Sequence, residues 1–504
     1  MHRSKRLLIL VGVLAVVCAV AFLATRVQEQ QEQVEASGET VLAIDAGNVA
    51  SLAWTSGEGE YAFHKDGTWL YDADEAFPVS AEALEELLAP FSSFNAAFVI
   101  RDVTDYAQYG LEEPECTIEI GTADASYTIA LGDMSAVDDQ RYVSIGDGNV
   151  YLAVTDPMDA FAVELSDLID NDEIPQMDTV TALSLTGAVE ESIAYVEAGG
   201  PSYSDEDVYF LQSGEESLPL DTDLVEDYLG GIRDLVLTDY ATYNATEIEL
   251  ASFGLNDPAL TVTVEYEQQA EAAEEGAEPE TTAGTLALHI GRVEEEAEES
   301  AEETAESAED ISQEEAQYAY YLRVGDSQIV YNLSDADGEA LFAASYDDLR
   351  HRQVFWGDFD DVAQATILLD NQTYTLTAQT AETAETGEDA DAAAESAEPT
   401  ATAAAEDDAE ITWICNGETV DVTGIRDKLA ALTAEAFTEE APADQLEISL
   451  TLDLNDEDVP QVRIQLYRYD GASCLAVLDG EPAALVARED VVDLMEAVRT
   501  LLLG

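Results

Sequence analysis

Two short stretches of this chain are nearly the same: residues 109–114 (YGLEEP) and residues 253–258 (FGLNDP). Each stretch leads directly into a run in which apolar and polar residues alternate, which is the pattern of a half-buried β-strand. A turn motif that occurs twice, each time with a following strand, predicts that the chain repeats one folded module. The motif therefore marks equivalent positions in two modules.

The residue types of the motif predict a structural role. Glycine permits the positive φ of a tight turn after a helix-exit segment. The next leucine is expected to fill the core, and proline is expected to end ladder pairing just before the strand. Turn chemistry accounts for every residue type present, so we assign packing rather than ligand contact to six residues: Gly110, Leu111, Pro114, Gly254, Leu255 and Pro258.

Short strands and one amphipathic helix are predicted ahead of the first motif. Residues 49–54, 61–64 and 68–71 are strand candidates, and Asp66-Gly67 is a strong hairpin signal between two of them. Apolar residues then recur at i, i+3, i+4 and i+7, which predicts a helix with one buried face. This spacing occurs at Leu84, Leu87, Leu88 and Phe91, again at Val225, Tyr228, Leu229 and Ile232, and more weakly at Ile425, Leu429 and Leu432.

The strands after the motif also match between the first two modules. Tyr142 and Tyr151 align with Tyr321 and Tyr331, and we expect these tyrosines to be half-buried strand residues rather than a binding stripe. The third helix is followed by residues 446–454, a strand candidate without the motif. The third module is therefore predicted to be a divergent terminal unit.

Together these patterns predict an α+β fold of repeated modules. Each module is expected to be an antiparallel β-meander with an amphipathic helix, and one N-terminal transmembrane helix precedes them. Module 1 is predicted over residues 41–172, module 2 over 173–357 and the divergent module 3 over 358–504.

The N-terminal segment predicts attachment to a membrane. Residues 7–24 carry no charged side chain, and their length as a helix approaches the thickness of the bilayer hydrocarbon core. The basic tail, residues 1–6, favours a cytoplasmic start. We therefore predict a single-pass protein of the cell membrane, with a polar stalk over residues 25–40 and the bulk of the chain extracytoplasmic. Cleavage after Ala21 is the alternative.

Three polar stretches interrupt the modules: residues 267–284 and 294–317 in module 2, and residues 378–410 in module 3. They consist largely of Ala, Glu, Thr, Ser and Asp. Because 294–317 and 378–410 contain no Lys or Arg to pair with their acids, self-repulsion favours extended chain over helix. We predict solvated loops, which a sheet tolerates because the entropy of loop closure grows only logarithmically with length.

The charge of the chain excludes one class of function. The net charge is −91, from 109 acidic and 18 basic residues, whereas a nucleic-acid-binding protein needs clustered Lys and Arg to contact phosphates. Cys116, Cys415 and Cys474 are few and widely spaced, so they indicate neither a disulfide framework nor a metal site.

No motif of a known catalytic machinery is present. A nucleophile elbow, a phosphate loop, a His-Glu-x-x-His helix and a dinucleotide fingerprint are all missing from the sequence. We therefore predict no enzyme activity, no cofactor, and no catalytic or metal-binding residue. Residues 335–339 (DADGE) alternate oxygen ligands as a calcium loop does, but they lack the distal Glu of an EF-hand.

One basic cluster stands out in this acidic chain. It consists of Arg350-His351-Arg352, with Arg323 in the same module. These side chains are predicted either to pair with neighbouring acids or to receive an acidic insert or partner. His64, His289 and His351 themselves are predicted to be surface or packing residues.

On these residues the chain resembles the bacterial family known as domain of unknown function 4340. The resemblance is carried by the N-terminal anchor, by residues 66–69 (DGTW), by the first amphipathic helix, by residues 109–114 and by residues 142–151. It covers module 1 well, module 2 with insertions and module 3 loosely. The resemblance implies a membrane-anchored extracytoplasmic protein, often encoded beside ABC-type transport permeases and gliding-motility-like subunits, and it carries no known active site.

We therefore expect a non-enzymatic accessory or scaffold protein on the outer side of the cell membrane. Its expected partners are the membrane and a transport permease or another envelope protein. The alternative is a cell-surface hydrolase or glycan-binding protein. An enzyme is expected to gather polar residues in a cleft of one module, whereas a scaffold is expected to show three similar modules without such a cleft.

Overall fold

The computed structural model describes residues 39–57, 59–136, 139–214, 216–269, 281–294, 317–379, 411–443, 445–456 and 459–503. The predicted tail and anchor, most of the predicted stalk, and residues 270–280, 295–316 and 380–410 of the predicted inserts lie outside this range. No helix among the described residues is long and apolar enough to cross a membrane. The chain divides into two compact units, Met1–Asp172 with Thr242–Asn244, and Glu173–Ala241 with Ala245–Gly504.

Over the described ranges, three antiparallel sheets of nine strands each dominate the structure. The first contains β1 (Glu39–Leu42), β2 (Val49–Ser56), β3 (Gly59–Asp66), β4 (Thr68–Tyr71), β5 (Phe94–Ile100), β6 (Cys116–Thr122), β7 (Ser126–Met134), β8 (Arg141–Ser144) and β9 (Val150–Ala153). The second contains β10 (Thr179–Gly187), β11 (Glu191–Tyr195), β12 (Tyr209–Ser213), β13 (Glu216–Pro219), β14 (Tyr240–Thr242), β15 (Leu260–Gln269), β16 (Thr281–Glu294), β17 (Tyr318–Val324) and β18 (Val330–Leu333). The third contains β19 (Val362–Leu369), β20 (Gln372–Gln379), β21 (Thr412–Cys415), β22 (Glu418–Val420), β23 (Ala434–Phe437), β24 (Leu446–Leu454), β25 (Gln461–Arg468), β26 (Ser473–Leu478) and β27 (Glu481–Ala487).

The helices are fewer and mostly short. They are α1 (Ala81–Ser92), α2 (Met158–Phe161), α3 (Thr222–Arg233), α4 (Glu247–Ser252), α5 (Asp335–Phe342), α6 (Tyr346–Leu349), α7 (Thr423–Ala430) and α8 (Arg488–Leu503), with 3-10 turns at Ala46–Asn48, Ala107–Tyr109, Leu165–Leu168 and Phe359–Asp361. The architecture is therefore mostly antiparallel β-sheet with few helices, in agreement with the predicted meanders.

The second and third sheets have the same strand order. It is β13-β12-β11-β10-β15-β16-β17-β18-β14 in the second sheet and β22-β21-β20-β19-β24-β25-β26-β27-β23 in the third. The first sheet, read from β4, has the order β4-β3-β2-β6-β7-β8-β9-β5-β1. The central pairs of the three sheets are β2-β6, β10-β15 and β19-β24. The first sheet has three strands up to and including β2, whereas the other two have four up to and including β10 or β19. At its far edge the first sheet has one more strand, β1.

A register irregularity recurs at the same place in all three sheets. The first strand of each central pair has a buried valine at or near its start. The pairing register shifts immediately after this valine: between Val49 and Ser51, between Val180 and Ala182, and between Val362 and Gln364. An irregularity of this kind bends a strand and increases its twist. The three sheets are therefore shaped by the same device.

The predicted helices form where the apolar spacing placed them. In α1 the buried residues are Leu84, Leu87, Leu88 and Phe91, and in α3 they are Val225, Tyr228, Leu229 and Ile232. The side chains of Ser80 and Asp221 cap the two helices by accepting backbone N–H groups of the first turn. In α7 the residues Ile425 and Leu429 are buried, whereas Leu432 is buried beyond the end of the helix.

The predicted loop over 267–284 was wrong at both of its ends. β15 continues to Gln269, β16 begins at Thr281, and these two residues pair in the ladder. Backbone hydrogen bonds can extend a hairpin beyond the part that buries apolar side chains, so the polar composition did not end the strands. In the same way, β20 continues to Gln379, inside the predicted 378–410 insert.

Candidate functional site

The first copy of the predicted motif forms a tight turn in the first unit. Gly110 has φ 69°, its N–H donates to Ala107 O at 3.1 Å, and the Leu111 N–H donates to Tyr106 O at 3.1 Å. On the neighbouring strand β7, a Cβ at Gly132 would collide with the Tyr109 carbonyl oxygen. The turn therefore packs directly against the sheet backbone.

The second copy has the same construction in the second unit. Gly254 has φ 70°, its N–H donates to Ala251 O at 3.3 Å, and the Leu255 N–H donates to Leu250 O at 2.8 Å. On β16, a Cβ at Gly291 would collide with the Phe253 carbonyl oxygen. The predicted positive φ of both motif glycines is confirmed.

The remaining motif residues support a packing role. Leu111 and Leu255 are buried, and Pro114 and Pro258 each lie two residues before a strand, β6 and β15 respectively. An aromatic pair covers each turn: the ring centroids of Tyr109 and Tyr142 are 4.9 Å apart, and those of Phe253 and Tyr321 are 4.6 Å apart. The two motif copies lie in different units, and neither lines the cleft described below.

A cleft of about 360 Å³ in the second unit is the candidate site. Its lining includes Glu206, Asp207, Asp221, His351 and Trp356. Three segments meet there: the loop before β12, the N-terminal end of α3, and the connection that runs from α6 toward the third sheet. We use the name His351 cluster for Ser202, Asp207, Asp221, His351 and Trp356.

Asp207 is the centre of the His351 cluster. The residue is 2% exposed, and its carboxylate receives hydrogen bonds from the Ser202 hydroxyl and from Trp356 Nε1, the latter at 3.0 Å. His351 Nε2 lies 2.9 Å from Asp207 Oδ1. A buried carboxylate is costly unless it is paired and hydrogen-bonded, and these three neighbours supply both kinds of compensation.

His351 is held between an aromatic ring and two acids. Its imidazole stacks on the Trp356 indole, with ring centroids 4.6 Å apart and an interplanar angle of 9°. Its second nitrogen, Nδ1, lies 3.4 Å from Asp221 Oδ2. Asp221 is fixed in turn because it caps α3 and because its backbone N–H donates to Leu349 O at 2.9 Å. His351 is thus a packing residue, as predicted, but one with two carboxylate neighbours.

Tyr203 connects this region to the third sheet. Its ring lies 4.4 Å from that of Trp356 and 6.1 Å from that of Phe355, and Phe355 belongs to the core of the third sheet. The phenol donates to Asp479 Oδ2 at 2.6 Å. Burial, followed by this hydrogen bond to a carboxylate, raises the pKa of Tyr203. The phenol therefore stays protonated and keeps donating at physiological pH.

The order of groups in the His351 cluster differs from that of a nucleophilic triad. In a triad the imidazole lies between a hydroxyl and a carboxylate and takes the proton of the hydroxyl. Here the carboxylate of Asp207 lies between Ser202 and His351, and the Ser202 hydroxyl donates to the carboxylate. The arrangement orients and stabilises groups, but it does not activate Ser202 as a nucleophile.

The basic cluster predicted from sequence is only partly brought together. The Arg350 guanidinium lies 3.5 Å above the Phe437 ring and pairs with Asp347 at 2.9 Å. Arg352 lies 6.0 Å from the same ring, whereas Arg323 Nε donates to Ser327 O at 2.6 Å. Of the two predicted roles, pairing with neighbouring acids fits Arg350 and His351.

The other histidines lie apart from the cluster. His64 Nδ1 lies 2.6 Å from Asp72 Oδ1 on the exposed surface of the first unit. His289 Nδ1 lies 3.2 Å from Thr261 Oγ1, and burial together with the positive charge of Arg323 lowers the pKa of His289. The three described histidines therefore do not share a site.

Two further candidate positions have structural roles. Residues 335–339 begin α5, whose first turn is capped by Ser334, so they do not form the loop that a calcium site needs.

Cys116 and Cys474 are buried and free, and burial raises the pKa of each thiol to about 11. In the described part of the chain, no group of three or more His, Cys, Asp or Glu residues is arranged to hold a metal ion.

Sequence reasoning missed the His351 cluster because its members are far apart in the chain. Asp207 and His351 are separated by 144 positions, and the sequence around Asp207 carries no motif. The one available signal was the basic residue triplet at 350–352, which indicated acidic neighbours without identifying them.

The described residues thus form three antiparallel sheets, and the second unit has an acidic cleft that contains a histidine. Residues 69–247 match the model of a protein family described as a domain of unknown function, DUF4340. The resemblance found in the sequence is confirmed over this range, which contains α1, the first motif and α3. Its extension to the N-terminal anchor, to residues 41–68 and to residues 248–504 stays a prediction. No curated protein and no solved structure matches the chain.

Proposed function

We propose that this protein works by contact, as a non-enzymatic accessory or scaffold protein held on the outer side of the cell membrane by residues 7–24. The uncharged N-terminal stretch supports the anchor. The family resemblance supports a neighbouring transport permease, of the ABC type, or another envelope protein as the partner. We further propose that the three sheets are copies of one module, as their strand orders and register shifts suggest.

One observation carries this proposal. The polar groups that converge in the cleft bind one another: Asp207 accepts from Ser202 and Trp356 and lies beside His351. In a nucleophilic active site the hydroxyl faces a base that takes its proton, whereas here the Ser202 hydroxyl donates to the Asp207 carboxylate. In the second unit the polar groups instead connect the segments before β12, at the start of α3 and before β19.

The packing of Trp356 in the cleft also favours a scaffold over a glycan-binding protein. Glycan-binding sites usually offer a free aromatic face. Trp356 has His351 against it at 4.6 Å and Tyr203 at 4.4 Å, so its ring is already engaged by protein. We therefore place the scaffold function ahead of the alternative of a cell-surface hydrolase or glycan-binding protein.

Anchoring in the membrane allows the protein to work through a weak binding interface. A tether raises the effective concentration of the tethered domains near a neighbouring membrane protein, so that a weak interface becomes occupied. The strongly acidic composition adds solubility and selects against anionic surfaces. The partner surface is therefore expected to be neutral or basic.

Site-specific photocrosslinking in cells tests this proposal. A photoreactive residue is placed at Ile248 or Val236, which are 82% and 75% exposed, and adducts are identified by mass spectrometry. We expect a membrane transport component among the adducts. The matched control places the same residue at Leu260, which is buried, and should give none. Capture of a glycan or turnover of a glycan or peptide by the purified protein would favour the alternative function.

A further inference from the structure

A small groove lies between α3 and α5 in the second unit. Its volume is about 80 Å³, and its apolar lining includes Tyr228 of α3, Leu235 just after α3 and Leu341 of α5. Small-molecule sites usually have a volume of roughly 300–1,000 Å³, so this groove is too small for a typical small ligand. Its size and lining instead fit one apolar side chain of a partner protein.

The walls of the groove are fixed by contacts within the second unit. The Tyr228 hydroxyl donates to Leu341 O at 3.1 Å, which ties α3 to α5. The helix α5 also packs closely on β17, where a Cβ at Gly338 would collide with the Tyr320 ring. The groove therefore has its shape before a partner binds, and a preformed site loses less affinity to ordering.

Gly231 lines the groove, and the packing of the chain does not explain it. Glycine weakens a helix interior relative to alanine. The Tyr320 ring accounts for Gly338 in α5, whereas a Cβ at Gly231 would have no heavy atom within 4 Å outside its own helix backbone and chain neighbours. A side chain at position 231 would lie four residues before Leu235, on the same face of the helix. Glycine at this position therefore keeps the groove open.

The charge around the groove indicates the chemistry of its occupant. Asp227 of α3 and Asp337 of α5 also line it, and both are exposed. Asp337 accepts a hydrogen bond from the Ser334 hydroxyl at 2.6 Å, but within the described residues neither carboxylate has a salt-bridge partner. A second copy of this chain, with a net charge of −91, would be repelled. A segment with basic side chains is complementary to this surface.

We propose that this groove is the surface that docks the membrane partner, through one apolar side chain flanked by Lys or Arg. The inference rests on the proposed function and names the surface that serves it. The apolar side chain lies over Gly231, between Tyr228 and Leu341, and the flanking cations lie near Asp227 and Asp337. Burial of the apolar side chain supplies affinity, and the charges select a basic partner.

Crosslinking of a synthetic peptide to the purified full chain tests the docking groove. The peptide carries one leucine between lysines, and the photoreactive residue replaces Val236, the chain neighbour of Leu235. The quantity measured by mass spectrometry is the peptide concentration that gives half of the maximal adduct. Gly231→Leu fills the groove without changing the charge, so this concentration should rise by about tenfold or more, the loss expected when one leucine side chain is no longer buried.

A matched pair of variants controls for changes in the helix itself. Gly231→Ala and Gly230→Ala add the same methyl group to adjacent glycines of α3, but Gly230 does not line the groove. We expect weaker binding in Gly231→Ala and unchanged binding in Gly230→Ala, and the pair keeps the test valid if Gly231→Leu does not fold. The peptide with glutamates in place of lysines should give no adduct. Equal binding by Gly231→Leu and the wild-type chain, or equal binding of the two peptides, would overturn the proposal.

The same variants in cells separate this inference from the proposed function. With the photoreactive residue at Val236, Gly231→Leu should reduce the adduct with the transport component by about tenfold or more, and Gly230→Ala should not. Equal capture by Gly231→Leu and the wild-type chain would overturn the docking groove, although the protein would still work by contact. If the wild-type chain captures no membrane component, the proposed function fails, and the peptide measurement alone decides whether the groove binds a basic segment.

Discussion

His351 Nε2 and Asp207 Oδ1 lie 2.9 Å apart although 144 positions separate the two residues in the chain. This contact joins the loop before β12 to the connection that leads into the third sheet. Because Asp207 also accepts hydrogen bonds from Ser202 and Trp356, three side chains of the His351 cluster share one carboxylate.

Asp207→Ala should therefore destabilise the second unit strongly. Removing one partner of a buried, hydrogen-bonded pair typically costs about 3–5 kcal/mol, because the groups left behind stay buried without acceptors. Denaturant unfolding measures the change. Glu206→Ala is the control, since Glu206 lines the same cleft but is exposed, and it should change stability by about 0.5 kcal/mol or less. Equal small effects of the two variants would be inconsistent with a central role for Asp207.

The motif glycines should differ in their tolerance of alanine. At Gly254 the nearest atom to an added Cβ is Arg292 N at 3.5 Å, so Gly254→Ala should cost mainly the left-handed backbone strain, about 1–2 kcal/mol. At Gly110 the added Cβ would lie only 2.7 Å from Asp133 N, so Gly110→Ala should cost more.

Melting temperatures of these two variants, compared with Gly230→Ala, check the assignment. Gly230 lies inside α3, and a Cβ added there would have no heavy atom within 4 Å outside its own helix backbone and chain neighbours. Alanine is the better helix former by about 1 kcal/mol, so this control should be neutral or stabilising. An unchanged melting temperature for both motif variants would refute the strained-turn interpretation.

Removal of residues 380–410 should leave the third sheet intact. Gln379 and Thr412 are paired in the ladder between β20 and β21, so a short Gly/Ser turn can join the ends of the two strands without moving them. The entropy of loop closure changes only slowly with loop length. We expect the melting temperature of the shortened chain to stay within a few degrees of that of the parent, whereas a large decrease would show that the deleted residues pack.

Native Cys116 and Cys474 should resist alkylation at about pH 8, where an ordinary thiol of pKa about 8.5 is partly ionised. Burial raises the pKa of each to about 11, so both remain neutral thiols until the pH approaches that value. Labelling with iodoacetamide in a Cys18→Ser background, quantified by mass spectrometry, should be slow in the native protein and fast in denaturant. Rapid labelling of the native thiols would show that they are accessible and ionised.

The parts of the structure that the sequence predicted are those with local signals. The buried faces of α1 and α3 follow from spacing over a few residues, and the turns at Gly110 and Gly254 follow from residue type. The first-sheet edge strand β1 and the continuation of β15 to Gln269 carry little apolar signal, and they depend on backbone pairing with other strands.

The candidate site depended on distant contacts and was therefore not predicted. Nothing in the sequence near Asp207 distinguishes it from the other acidic residues of the chain, because its burial and its partners are set by the packing of separate segments. His351 was noticed because basic residues are rare in this sequence, which identified the position without revealing the acids that surround it.

The most direct test of the proposed function is quantitative crosslinking of the protein in its own cells, with and without residues 1–26. We predict that the full chain recovers a membrane transport component, that removal of residues 1–26 abolishes this recovery, and that an unrelated transmembrane anchor in their place restores it. Undiminished recovery after removal of residues 1–26 would contradict the claim that the protein works as a membrane-confined contact protein.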